Sequence, residues 1–284
     1  MDTASLSLTL ALGAAAGAGF ADYLAAHAAR RMRAVRVAAL IQSIGLVVVA
    51  GSLVWGGPPA LTSQDLVIAV LAGLSIAVGI AALYGALAIG PIGVTAPISA
   101  VVGAALPVVA AIGLGDSLVG LQFLGLALGL VGVALFAAGP VGPAAGSRWR
   151  GIGLAVLAGL GIGGLTIALD ATNPEAGIWP LLIARTVAAT GLWLATLRGP
   201  SGETRVAVDW PRLSIAALLD AAGMVAFLLA LQAGHMAIVA VITAMYPGFT
   251  VALAVLIDRE RMQRAQLFGL AFAAAAVVLI SWRT

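Results

Sequence analysis

The sequence predicts an all-α membrane protein with ten transmembrane helices arranged as two inverted five-helix repeats. Three observations predict it. Of 284 residues, 62% are hydrophobic and only 9% charged, whereas a soluble domain carries about 25% charged residues. Apolar runs of about 20 residues recur, each long enough to cross a hydrocarbon core of about 30 Å as a helix. The two halves of the chain also match each other at a constant shift of 144 residues.

Polar or Gly/Pro punctuation bounds ten apolar stretches, which predict helices over 5–28, 37–56, 66–89, 92–114, 118–138, 151–169, 178–197, 212–232, 236–257 and 264–282. The N-terminus lacks the basic start of a secretory signal peptide and reads as a full-length span. Most links are short, such as GDS at 115–117, which suits antiparallel neighbours. The longest polar link, GPVGPAAGSRWRG at 139–151, falls at mid-chain. It divides the chain into a first unit over 1–139, a linker over 140–150 and a second unit over 151–284.

The shift of 144 residues brings Ala86, Leu87 and Gly90 onto Ala230, Leu231 and Gly234, and Ala96, Ile98 and Ala100 onto Ala240, Ile242 and Ala244. Gln122, Gly125 and Leu126 fall on Gln266, Gly269 and Leu270; Asp116 falls on Glu260, and Gly17 and Gly19 fall on Gly161 and Gly163. Five spans per unit is an odd number, so the second unit must enter the bilayer from the opposite side. Inverted repeats of this kind underlie alternating access in many secondary transporters, which hold substrate near the midplane between the halves.

Several function classes find no residues to carry them. With no cysteine there is no disulfide, thiolate metal site or cysteine nucleophile. With no lysine there is no Walker-type phosphate loop, and neither GxSxG nor HExxH occurs. GLGIGG at 159–164 lies inside an apolar span, so it is no dinucleotide fingerprint. His27 and His235 fall at opposite faces and cannot share a metal. The expectation is a protein that is not an enzyme and binds no cofactor. The net charge of +3 comes from arginines between apolar runs, a topology signal rather than a nucleic-acid surface.

The stretches GFADYLAAHAARR and ALQAGHMAIVAVITAMYPGFTVALAVLIDRERMQRAQLFGL, together with the ten-span duplication, resemble EamA-type members of the drug/metabolite transporter superfamily. Glu260 and Gly269 match that family's glycine–glutamate turn and final glycine-bearing helix; the first half carries Asp116 in the acidic place. The resemblance implies movement of a small metabolite or amino-acid-like solute, frequently export, without a bound cofactor. Passive channels, membrane scaffolds and membrane-embedded enzymes are the rival classes. The expected setting is the plasma membrane.

The links after odd-numbered spans define one face, called odd here. It holds Arg30, Arg31, Arg33, Arg36, Arg148, Arg150, Arg198, Arg205, Arg212, Arg259, Arg261 and Arg264. The positive-inside rule places that face in the cytoplasm and both termini outside; the family resemblance implies cytoplasmic termini.

Charges inside spans cost about 2.5–3.5 kcal/mol each at a helix centre and usually face the bundle interior. At about 1.5 Å rise per residue, Arg185 lies roughly 10 Å below the even face, and Asp22 and Asp220 roughly 10 Å below the odd face. The axial offset argues against a direct Arg185–Asp220 pair and makes Asp170 the better partner. Arg185 is either an anion anchor for substrate or a residue reaching toward Trp179, the interface or Asp170. Asp22 and Asp220 could bind a substrate amine or exchange a proton, and Asp22 could instead pair with Arg30 or Arg31. Pro91, Pro97, Pro107 and Pro247 predict kinks in spans four and nine. Tyr84, Thr95, Ser99, Gln232, Thr243 and Tyr246 either line a cavity or make helix–helix hydrogen bonds. Gly13/Gly17 and Gly125/Gly129 read as close-packing motifs.

Overall fold

The computed structural model describes residues 3–53, 60–90, 92–115, 120–137, 145–198, 208–259 and 264–281. Among these residues every regular element is a helix. The first half supplies α1 (Thr3–Ala29), α2 (Ala34–Ser52), α3 (Ser63–Ile89), α4 (Ile92–Gly113) and α5 (Gly120–Ala137). The second supplies α6 (Ala145–Asp170), α7 (Trp179–Leu197), α8 (Trp210–Ala233), α9 (Met236–Thr243), α10 (Tyr246–Ile257) and α11 (Arg264–Ser281). Among the described residues, eight stretches are long and apolar enough to cross a membrane: α1 to α4, α6 to α8, and α9 with α10 taken together. Helix α6 begins at Ala145, inside the expected linker, so residues 145–150 are helical.

Helix starts follow local chemistry. Before α3, the Thr62 hydroxyl accepts from the Asp65 amide at 3.1 Å while the Asp65 carboxylate accepts from the Thr62 amide at 2.9 Å. This reciprocal capping box satisfies donors that the first helical turn leaves orphaned. Asp209 caps α8 through the Arg212 amide, and Pro180 opens α7, where a missing N–H costs nothing.

Span nine differs from expectation. Instead of one helix over 236–257, the chain breaks at Ala244 and Met245. Pro247 is the cause: it has no N–H and its ring excludes the carbonyl four residues back, at Thr243. Tight turns fill the gap, with the Met245 amide on the Ile242 carbonyl at 3.1 Å and the Gly248 amide on the Met245 carbonyl at 2.9 Å. Helix α4, by contrast, stays one helix through Pro97 and Pro107. Pro91, Asp116, Arg205, Glu260, Arg261 and Arg283 lie outside the described residues.

Small residues let the bundle close. Helix α3 lies on α6 and α1 lies on α8, while α2 packs on α7 and α5 on α11. A Cβ on Gly161 would stand 2.5 Å from the Gly79 Cα, and a Cβ on Gly17 would stand 2.9 Å from the Leu219 carbonyl and 3.1 Å from the Gly223 Cα. Only glycine permits backbones that close. Leu66, Leu71, Leu74 and Val78 of α3 are exposed, a stripe that suits lipid rather than water.

Candidate functional site

Arg185 is fully buried and is the largest side chain so enclosed among the described residues. One terminal nitrogen donates to the Asp220 Oδ2 at 2.7 Å, and the other donates to the Gln42 Oε1 at 3.1 Å. The guanidinium lies against Gly45 of α2, where a Cβ would collide with it. This corrects the expected Asp170 partner. Helix α8 starts at Trp210, two residues earlier than expected, which sets Asp220 about 15 Å from the odd face and Arg185 about 9 Å from the even one. In a core of about 30 Å, the remaining gap is within the reach of an arginine side chain. Estimating depth from backbone rise alone left that reach out.

Beside the pair lies a cavity of about 100 Å³. Asp22 and Asp220 face it together with Thr243 and Tyr246, and most of the remaining wall is apolar, including Ile76, Ile80, Leu165 and Phe227. The wall draws on both halves, with α1 and α3 on one side and α6, α8, α9 and α10 on the other. A second space of about 40 Å³ adjoins it, sharing Ile162, Phe227, Thr243 and Tyr246 and reaching Thr166 and Gly103. Asp22 is buried and makes no ion pair with Arg30 or Arg31 among the described residues. A water occupies about 10–15 Å³ by the same measure, so the larger cavity holds several waters or a small solute.

The other expected residues divide. Tyr246 donates to the Ala96 carbonyl at 3.1 Å and shares a hydrogen bond of 2.6 Å with Ser99, tying α10 to α4. Tyr84 is fully buried, and neither its hydroxyl nor the buried hydroxyl of Thr243 has a hydrogen-bond partner among the described residues. Thr95 sits against Gly90 near the start of α4, away from the cavity wall. Gln232 donates to the Gly177 carbonyl at 3.1 Å, fastening the α6–α7 connection instead of facing the cavity. Sequence reasoning missed Gln42 and Gly45. The available signal was a lone glutamine in an apolar span, IQSIGL, with a glycine on the same helical face.

Both ends of the bundle carry ties between the halves. On the even face the Asn173 amide donates to the Asp65 Oδ1 at 2.8 Å. On the odd face His27 meets Asp258 at 3.5 Å, and Arg33 donates to the Thr196 carbonyl at 3.3 Å.

Residues 149–282 match the model of the EamA-like transporter family. The second half of the chain is thus similar to that family. Its members are membrane transporters of small solutes, and this EamA-like chain is a multi-pass membrane protein. No curated protein matches the chain by sequence, whereas 17 chains of solved structure do by fold. One of them, described only as "Crystal structure of protein", aligns over 97% of this chain and 96% of its own with a TM-score of 0.74 at 16% sequence identity. At that identity the likeness speaks for the fold alone.

Proposed function

We propose that this chain is a secondary carrier of two inverted five-helix halves that moves a small organic solute across the plasma membrane by alternating access, outward and with a proton gradient as its driving force. The observation that carries the reading is the cavity at the seam between the halves, into which Asp22 of one half and Asp220 of the other both face. Ionisable groups inside a membrane are costly and are retained where they bind or move something. We assign Asp22 and Asp220 to the solute and proton, Thr243 and Tyr246 to the wall, and Arg185 with Gln42 to holding Asp220 in place.

The inverted arrangement has support at residue level. The contacts Gly17–Gly223 and Gly161–Gly79 exchange under the shift of 144 residues, as do the contacts of Gly19 with Thr250 and of Gly163 with Leu106. The end of α6 also meets the start of α3, through Asn173 and Asp65, as opposite threading of the halves requires.

The chain has no cysteine, so a single one placed at Thr243 reports cavity access cleanly. Alternating access expects a membrane-impermeant thiol reagent to label it from either face. Separately introduced cysteines at His27 and Asp258, cross-linked beforehand, should stop labelling from the odd face and spare it from the even face. Labelling from neither face in the uncross-linked protein removes the carrier reading. The arginine bias further expects a C-terminal reporter active only in the cytoplasm to stay silent; a strong signal reverses that orientation.

A further inference from the structure

We infer that the cavity selects a small monoamine, an ammonium head on a short apolar body without a carboxylate, with Asp22 as the group that meets the head. This rests on the carrier reading above and names its substrate class. The argument is one of charge matching. Two carboxylates line the cavity, and no Arg or His is among its described lining residues. Arg185 lies behind the wall, fully buried, and is committed to Asp220 at 2.7 Å. Asp220 is therefore balanced and Asp22 is not. With Asp22 ionised and without an ion-pair partner among the described residues, the cavity carries one negative charge in excess, and a ligand with one positive charge completes it.

A zwitterion fits worse. Its carboxylate would lie beside Asp22, repelled by it, or against Ile76, Ile80, Leu83 and Phe227, which offer no donor. A buried charge without a partner is among the most unfavourable placements in a protein. Of the two hydroxyls in the wall, Tyr246 is already bonded to Ser99 and to the Ala96 carbonyl, which leaves a carboxylate the single neutral donor of Thr243 against the repulsion of Asp22. Size sets the other limit. The cavity of about 100 Å³ is smaller than an engineered apolar cavity of about 150 Å³ that takes up benzene, so the apolar body is a short alkyl group.

Calorimetric titration of the purified full-length protein in detergent at pH 7.5 tests this with three probes: butylammonium, pentanoate and norvaline, the last being butylammonium with an added carboxylate. Butylammonium should bind at least tenfold more tightly than either of the others. Asp22→Asn should weaken it at least tenfold while keeping the monodisperse elution of the parent. The ligand series is read in the unaltered protein, so it decides the class even if the variant does not fold. Norvaline or pentanoate binding as tightly as butylammonium overturns the inference, as does undetectable butylammonium binding or full binding to a folded Asp22→Asn. The thiol-labelling experiment needs no ligand, so each of these results leaves the carrier reading to be judged by its own test.

Discussion

Gly161 of α6 meets Gly79 of α3 much as Gly17 of α1 meets Gly223 of α8, and the same shift of 144 residues relates both members of each contact. The polar residues behave differently. The shift carries Asp22 onto Thr166, Ile76 onto Asp220, Ile41 onto Arg185 and Gln42 onto Thr186. Close helix contact recurs wherever the geometry recurs, so both halves need small residues at matching places. A buried charge is costly at every site it occupies, and one ion pair and one further acid furnish one cavity. The halves therefore share a frame while the chemistry sits on one side of it. The larger cavity holds Asp22 and Asp220, and the adjoining space has Thr166 where the shift would place an acid.

Four sets of substitutions test that contrast, beginning with the largest effect. Asp220→Asn leaves the Arg185 guanidinium buried without its counter-charge, and breaking a buried pair costs about 3–5 kcal/mol. Thermal unfolding in detergent should show a large fall in Tm, and the double variant Arg185→Met with Asp220→Leu should recover most of it. A single variant as stable as the parent would mean that the pair does not hold this region together. Next, Gln42→Leu takes an acceptor from Arg185, a loss of about 1–3 kcal/mol for an unsatisfied buried donor. Its counterpart Thr186→Val, on an exposed face, should stay within about 0.5 kcal/mol. Equal losses at the two positions would erase the asymmetry.

The glycine seams should behave alike. Gly161→Ala and Gly17→Ala each push a Cβ into opposing backbone, and overpacking of this kind costs about 1–3 kcal/mol. Unfolding measurements that found one variant neutral and the other severe would break the shared frame. The smallest effect belongs to Asp258→Asn. Its pairing with His27 is about 30% exposed on both sides, and exposed pairs contribute about 0.2–1 kcal/mol. Its stability should hardly move, and a fall in Tm matching that of Asp220→Asn would show the odd-face tie to be structural.

Much of the frame was legible from residue order, because span length and punctuation are set by the thickness of hydrocarbon and by Gly and Pro. Pro247 was visible too, yet not that it splits span nine while Pro97 and Pro107 leave α4 whole. That difference lies in the assembled bundle and not in the residue type, which is proline in both helices. The ion pair was missed for a geometric reason: backbone depth does not include side-chain reach. Hydroxyls were the least legible. Ser99 and Tyr246 join across the seam, while Thr95 lies against Gly90 and the Gln232 amide fastens the α6–α7 connection, and a polar residue's sequence neighbourhood does not distinguish these fates.

Arg185 and Asp220 lie on adjacent helices of one half, α7 and α8, whereas Asp22 lies on α1 of the other. If the halves rock, the pair crosses the membrane's electric field as a neutral dipole and only Asp22 carries charge through it. Moving one elementary charge across 100 mV changes the energy by about 2.3 kcal/mol. A bound monocation on the way out and a proton on the way back each cancel that charge, so voltage would leave both loaded passages nearly untouched and act only on a carrier that moves with Asp22 bare.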